Sequence, residues 1–337
     1  MATQASSVKA VVAALAGNAF VTAIKLVAFL LSGSGAMLSE AIHSAADTGN
    51  QLLLFLGLKR AARAADDRFP YGYGGERFIF GILSASGIFF VGCGITLYHG
   101  IRGLLYPHMP TLGPSTFAVL GLSFLVEGSV LLYAVRSLGR ERGDLPFFRY
   151  VRDHADPAAV AILLEDGAAV TGLCLAGAGI TAAYLTGNPM YDALGTLVVG
   201  VVLGAVAVYL VAENRELLLG KAVAEGIEDR FVAILCKRPA IRQVRDVKTR
   251  QLTPEVFTLK AEITFDEAYL ASRLDQALPR DCDAIQGTAR VTALRGLSAA
   301  AVKAIADEIA AIEVAVRAEM PGARHIDLEV AYEPPQA

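Results

Sequence analysis

Met37–Leu58 reads MLSEAIHSAADTGNQLLLFLGL, and this otherwise apolar stretch contains Glu40, His43 and Asp47. About 20 apolar residues suffice for a helix to cross a hydrocarbon core roughly 30 Å thick. An ionisable side chain at the centre of such a helix costs about 2.5–3.5 kcal/mol on insertion scales, so it usually has a partner or a function. The stretch therefore predicts a membrane helix that carries a polar site.

The rest of the chain is also apolar, with 54% hydrophobic residues and a mean hydropathy of +0.49. This share exceeds that of ordinary soluble domains. Several segments are long enough to cross a bilayer. We predict a polytopic α-helical membrane protein with six spans: Val8–Leu31, Met37–Leu58, Phe78–Leu105, Leu112–Leu138, Ala158–Leu185 and Met190–Leu219.

Charge divides the chain near Gly220, because residues 1–220 hold 29 of the 63 charged residues and residues 221–337 hold the other 34. The division predicts a six-helix transmembrane transport domain over 1–220 and a C-terminal domain over 221–337. In the C-terminal part, Val256–Phe265 alternates apolar and polar residues, as a half-buried strand does. The order of elements predicts a small ferredoxin-like α-β-β-α-β domain. Residues 267–297 fit it poorly and are taken as an insertion, after which Ser298 is expected to cap a helix.

Basic residues follow the second and fourth spans, whereas the links after the first and fifth spans carry none. Short positively charged loops lie on the cytoplasmic side of a membrane. This pattern predicts cytoplasmic chain ends. The basic residues are Lys59, Arg60, Arg63, Arg68, Arg77, Arg136, Arg140, Arg142, Arg149 and Arg152.

The polar residues of the second span share one helix face. Glu40, His43, Asp47 and Asn50 are separated by three, four and three residues, which matches the helical repeat. The fifth span adds Glu165 and Asp166, about 100° apart around its helix. Imidazole combined with carboxylate suits Zn²⁺, and also Mn²⁺, Fe²⁺ or Co²⁺. We expect a divalent metal site at His43, Asp47, Asp166 and Glu165.

Each of these polar residues also has a structural interpretation. His43 could bond a neighbouring helix, and Glu40 could be satisfied by solvent or by Lys25. Glu127 could be a buried hydrogen-bond partner, and Asp192 could cap the sixth span. A separate metal site at His325 and Asp327 is a further alternative.

Other classes of function lack support in the sequence. The net charge of −3 does not indicate a nucleic-acid partner. The four cysteines form no CxxC pair, and the first residues do not resemble a removable signal peptide. Neither a Gly-rich phosphate loop nor a hydrolase constellation is evident. We therefore expect neither an enzyme nor a prosthetic group.

Together the motifs resemble the cation diffusion facilitator family, and more narrowly its zinc transporter nine branch and the bacterial relatives of that branch. Outside residues 267–297 the resemblance covers nearly the whole chain. The matching stretches are SEAIHSAADTGNQLLL (Ser39–Leu54), FPYGYGGERF (Phe69–Phe78), LYHGIRGLL (Leu97–Leu105), LLEDGAAVTG (Leu163–Gly172), GNPMYDALGTLVVG (Gly187–Gly200), VRDVKTRQL (Val244–Leu252) and RHIDLEV (Arg324–Val330).

The resemblance implies a homodimer that exports divalent metal in exchange for protons. The family's HxxxD pair in the second span falls on His43 and Asp47. The pair in the fifth span falls on Ile162 and Asp166, so its histidine is missing and Glu165 or a water would have to replace it. The family's C-terminal domain often binds metal through several histidines, of which only His325 is present.

We expect a divalent metal efflux transporter, a zinc/proton antiporter with the ion between the second and fifth spans. Transport of manganese, iron or cobalt, a passive channel, and a metal-binding membrane regulator or scaffold that does not transport are the alternatives. The ion is substrate, and the partners are protons, the lipid membrane and a second copy of the chain. The expected location is the bacterial inner (plasma) membrane.

Overall fold

A computed structural model of the chain describes residues 2–32, 35–107, 114–153, 155–223, 225–253, 256–275 and 288–332. Contacts divide the chain into two compact units, Met1–Leu219 and Gly220–Ala337. Each unit has a hydrophobic core of its own.

The secondary structure of the first unit is all helical in its described part, and a π-helical segment, Ile88–Cys93, joins two of its helices without a break. Its described helices are α1 (Ala2–Ser32), α2 (Gly35–Ala61), α3 (Glu76–Gly87), α4 (Gly94–Leu105), α5 (Pro114–Glu141), α6 (Phe147–Asp153), α7 (Pro157–Thr186) and α8 (Met190–Leu219).

The expectation of a helical membrane protein is confirmed, whereas the number of spans stays a prediction. Among the described residues, four segments are long and apolar enough to cross a membrane: Glu76–Leu105, Gly121–Glu141, Pro157–Thr186 and Met190–Leu219. Val11–Val27 is a shorter apolar segment of α1. Helix α2 is less apolar because it carries the polar residues from Glu40 to Gln51.

The turn between α7 and α8 is built by the residues that the sequence places there. Gly187 ends α7 with φ at 67°, a left-handed conformation that glycine adopts without steric cost. The side-chain oxygen of Asn188 then accepts from the backbone N–H of Met190 at 3.0 Å. Asn188 therefore takes the capping position suggested for Asp192, which lies inside the first turn of α8 rather than before it.

A buried ion pair links the starts of α3 and α7. A guanidinium nitrogen of Arg77 donates to Asp156, and the two side chains are 5% and 6% exposed. Asp156 also caps α7, since it accepts from the backbone N–H of Ala158 at 2.8 Å. Arg77 was predicted to be one of the loop charges that orient the chain in the membrane, but the residue is buried.

The loop between α2 and α3 is folded around Asp66. Its carboxylate accepts from the backbone N–H groups of Arg68 and Phe69 and from the hydroxyl of Tyr73, at 3.0, 2.8 and 2.7 Å. The Tyr73 hydrogen bond, followed by the one from Phe69, lowers the pKa of Asp66. The same hydroxyl-to-carboxylate bond raises the pKa of Tyr73. This loop includes the start of the FPYGYGGERF motif.

The second unit is a three-stranded sheet with helices packed against it. Strand β2 pairs antiparallel with β1 and parallel with β3. A parallel pair needs a long crossover, and α10 and α11 lie in it. The elements are α9 (Glu225–Cys236), β1 (Ile241–Thr253), β2 (Val256–Phe265), α10 (Glu267–Leu274), α11 (Thr288–Glu319) and β3 (Ala323–Val330).

The alternation predicted for Val256–Phe265 is confirmed: Leu259, Ala261 and Ile263 are fully buried. They pack against Phe231 of α9 and Ile312 of α11, among others, to form the core of this unit.

The expected cap at Ser298 is wrong. Helix α11 already begins at Thr288, ten residues earlier. The Ser298 hydroxyl donates to the backbone oxygen of Leu294 within that helix at 2.9 Å. A serine hydroxyl inside a helix can bond the carbonyl four residues back instead of capping a helix start. Residues 267–297, taken as an insertion, therefore contain α10 and the first turns of α11; residues 276–287 lie outside the described part.

Candidate metal site

Helices α2 and α7 bring three predicted site residues together. Asp47 on α2 is half-buried, and Glu165 and Asp166 on α7 are 5% and 3% exposed. Asp47 lies close enough to both α7 carboxyl groups to interact with them electrostatically. Of the predicted ligands with described side chains, Asp47 thus lies within electrostatic range of the acidic pair on α7.

His43 lies one helical turn before Asp47 in α2, but its side chain lies outside the described residues. The same holds for Glu40. The place of the imidazole in the site therefore stays a prediction from the spacing of four residues, which puts His43 and Asp47 on one face.

Asp166 has an unsatisfied oxygen. Its Oδ2 atom is buried and has no hydrogen-bond partner within the described part of the chain. The carboxyl groups of Glu127 of α5, Asp47 and Glu165 interact with it electrostatically. A buried carboxylate without a partner is costly, and surrounding carboxylates increase that cost. A bound cation would remove both penalties.

Glu165 is held differently. Its Oε2 atom accepts from the Gln51 side-chain amide at 2.7 Å, and Oε1 lies 3.5 Å from the Asn50 amide nitrogen. Both donors belong to α2. Glu165 therefore joins α2 to α7. The lone pairs of its oxygens that accept no hydrogen bond remain available to bind a metal ion.

Ile162, at the position of the missing family histidine, is fully buried in an apolar cluster. Leu54 and Leu58 of α2 and Ala14 of α1 belong to the same cluster. One turn before Asp166, α7 therefore has an apolar core residue, Ile162, where a metal ligand would be expected.

The remaining candidates are placed without being shown to bind metal. Glu127 is half-buried beside Asp166. The ammonium of Lys25 donates to the Ser44 hydroxyl at 2.8 Å and so joins α1 to α2. His325 lies on β3, where it pairs with Thr258 of β2. Within the described side chains, which exclude that of His43, no group of three His, Cys, Asp or Glu residues forms a metal cluster.

Sequence reasoning missed two features of this region. Gln51 carries no charge and so does not stand out among the ionisable residues of α2, yet it is fully buried and bonds Glu165. Its position four residues after Asp47 was the available signal. The partner of Arg77 is 79 residues away, and no local pattern indicates it.

Comparison with known proteins gives a consistent result. The family model described as the cation efflux transmembrane domain matches residues 11–219. A Xenopus laevis protein named proton-coupled zinc antiporter SLC30A9, mitochondrial, is 36% identical over 96% of this chain and 59% of its own length. The human protein of that name is 35% identical over 96% of this chain and 58% of its own length. Metal tolerance protein C4 of Arabidopsis thaliana is 34% identical over 96% and 73%.

The chain therefore spans less than two thirds of the length of the vertebrate relatives. The resemblance inferred from the motifs is confirmed, and a family of cation-efflux proteins agrees with the expectation that the chain is not an enzyme. The assignment to a bacterial inner membrane with cytoplasmic chain ends is wrong: the vertebrate relatives are named as mitochondrial, and the third is a plant protein. The charge of the loops predicts on which side of a membrane each loop lies, but it does not identify the membrane.

Proposed function

This chain belongs to the cation efflux family, and on that premise we propose that it is a divalent metal efflux transporter that exchanges zinc for protons. The names of the vertebrate relatives, proton-coupled zinc antiporters, support the substrate and the coupling. The plant relative is named a metal tolerance protein, which agrees with metal removal.

The observation that carries the proposal is the unsatisfied Oδ2 atom of Asp166, buried among the carboxyl groups of Asp47 and Glu127. Such an arrangement is unfavourable when it is empty and ionised, and a divalent cation or protons relieve it. We place the ion between α2 and α7, with His43, Asp47 and Asp166 as ligands. Glu165, or a water, supplies the fourth position that Ile162 leaves vacant.

Proton exchange follows from the ligand chemistry. Imidazole ionises near neutral pH and binds metal only in its neutral form. Carboxylates bind metal only when ionised, so metal binding releases protons. Protons delivered from the opposite side of the membrane would compete with the ion for the same groups, expel it and reset the site.

The proposal includes an architecture. Six spans correspond to α1, α2, the continuous segment from α3 to α4, α5, α7 and α8. The second unit is the ferredoxin-like domain outside the membrane, with α10 as an additional helix. Residues 1–220 are the transport domain and 221–337 the C-terminal domain.

We further propose a homodimer, as the family resemblance implies. The mass of the protein–detergent complex, determined by light scattering with the detergent contribution subtracted, tests this assignment. A mass of two chains of 35.5 kDa each is expected, and a monodisperse single chain would contradict it.

The decisive experiment is zinc uptake by purified protein reconstituted into vesicles with an imposed proton gradient. Asp47→Ala removes a ligand, and we expect uptake to fall at least tenfold. Asp67→Ala is the matched control because Asp67 is exposed in the α2–α3 loop. Wild-type uptake by Asp47→Ala would contradict the site. Flux independent of the gradient would indicate a channel, and zinc binding without flux would indicate a regulator or scaffold.

Manganese, iron or cobalt is the second candidate substrate. The described candidate ligands Asp47, Glu165 and Asp166 are all carboxylates, and carboxylate-rich sites suit manganese better than zinc. The same vesicles, assayed with each of the four metals at equal concentration, give the order of preference. A larger coupled flux of manganese than of zinc would reverse the assignment.

A further inference from the structure

Gln51 is a fully buried polar side chain of α2. Its amide nitrogen donates to Oε2 of Glu165 at 2.7 Å, while its own amide oxygen has no hydrogen-bond partner within the described residues. Leaving a buried acceptor unsatisfied is unfavourable. The unsatisfied amide oxygen of Gln51 destabilises the folded state, and the bond from its amide nitrogen to Glu165 is the favourable contact that this side chain makes.

The neighbouring residue supports the same carboxylate. Asn50 lies 3.5 Å from Oε1 of Glu165, and its backbone oxygen accepts from the Ser84 hydroxyl of α3 at 3.3 Å. A side chain at Gly87 would begin 2.5 Å from the Asn50 amide oxygen and would displace the Asn50 side chain. Helix α3 thus packs against the residues that hold Glu165.

Gln51 continues the line of the predicted ligands. His43, Asp47 and Gln51 are four residues apart in turn, which places them successively along one helix face. On α7, Glu165 directly precedes Asp166, and the two side chains point about 100° apart. The bond from Gln51 to Glu165 therefore connects the face that carries Asp47 to the helix turn that carries Asp166.

We propose that Gln51 is a positioning residue of the ion site. By fixing the Glu165 carboxylate against α2, it fixes the rotation of α7 and so the direction of Asp166 relative to Asp47. This inference deepens the proposed function and rests on it.

The chemistry of an amide suits the role. Glutamine donates to an ionised carboxylate without adding charge, whereas lysine or arginine at this position would repel a divalent cation. Its length also matters, because asparagine is one methylene shorter and would not reach Glu165 from the same backbone position.

The test compares Gln51→Met with wild type in vesicles over a range of zinc concentrations. Methionine keeps the length of the side chain and removes the donor. We expect the KM for zinc to rise about tenfold, as for a lost bond to a charged group, while the maximal rate changes less than twofold. A variant that is merely less stable would lower the maximal rate at unchanged KM.

Thr48→Val is the matched control. The Thr48 hydroxyl donates to the backbone oxygen of Ser44 at 2.8 Å and lies 3.0 Å from the Thr22 hydroxyl of α1, so this variant removes polar contacts of α2 that do not involve α7. Its KM should equal that of wild type. A KM for Gln51→Met within twofold of wild type would overturn the proposal, as would an equal rise in Thr48→Val. If Gln51→Met does not fold, Gln51→Asn replaces it with the same expectation.

Zinc binding in detergent is measured in parallel. Wild type that neither binds nor transports zinc refutes the proposed function itself, whereas active wild type with unchanged Gln51→Met refutes this inference alone.

Discussion

Ile162 limits the chemistry that the α7 half of the site can perform. It lies one turn before Asp166 and is fully buried in the apolar cluster that also contains Ala14, Leu54 and Leu58. A helix position filled by packing cannot also offer a nitrogen ligand. The site therefore has one imidazole at most from these two helix faces, and its remaining donors are oxygens, which weakens the preference for zinc over manganese.

Restoring the missing histidine should harm the protein. Ile162→His places a polar ring in an apolar cluster, and burying a polar group without a hydrogen bond costs about 1–3 kcal/mol in proteins. We expect a lower unfolding temperature in detergent and no gain in zinc affinity. Ile162→Val is the control, since it removes one methylene and costs about 0.5–1.5 kcal/mol. Tighter zinc binding by Ile162→His at undiminished stability would show that this position faces the ion.

At this scale the sequence predicts ionisable residues better than neutral ones. Asp47, Glu165 and Asp166 are charged residues within apolar helices, and this alone is sufficient to predict a site there. Gln51 carries no charge and so does not stand out among the ionisable residues, although its bond to Glu165 connects the same helices. The partner of a buried group depends on tertiary packing, which a single sequence does not display.

Helices α3 and α7 are fixed to each other at their first turns by Arg77 and Asp156. Asp156 serves two elements, because it pairs with the guanidinium of α3 and caps α7 through the N–H of Ala158. Removing one partner of a buried pair leaves the other charge without compensation, which costs more than the pair itself contributes.

Asp156→Ala should therefore destabilise the first unit strongly. The unpaired buried Arg77 costs about 3–5 kcal/mol, and the lost cap about 1 kcal/mol more. Thermal unfolding in detergent measures the effect. Asp156→Asn keeps an oxygen for the cap and loses the charge, so its unfolding temperature should lie between those of Asp156→Ala and wild type. Equal unfolding temperatures for Asp156→Ala and wild type would mean that the pair contributes nothing to the fold.

Element boundaries show which local signals can be trusted. The predicted span bounds Leu185 and Met190 locate the turn from α7 to α8 correctly, and Gly187 and the N–P sequence between them act through their own backbone geometry. Ser298 misleads because its hydroxyl is satisfied inside α11 by Leu294. A serine signals a helix start only when no helical residues precede it, and Thr288–Leu297 had been set aside as an insertion.

On the scale of the whole molecule, the main hydrophobic cores of the two units share no residue within the described part of the chain. The first is formed by residues of the long helices of Met1–Leu219. The second comprises residues of α9, the three strands and α11, all within Gly220–Ala337. A unit with its own core has the usual property of a domain that folds independently.

Residues 220–337 expressed alone should therefore fold. We expect a circular dichroism spectrum with helix and strand contributions and one cooperative thermal transition. Leu259→Ala, which empties a fully buried position at the centre of β2, should lower the stability of the fragment by about 2–5 kcal/mol. Val302→Ala on α11 is the control, because Val302 is 69% exposed and its loss should change stability by less than about 0.5 kcal/mol. A fragment without a cooperative transition would mean that the second core forms only when the first unit is attached.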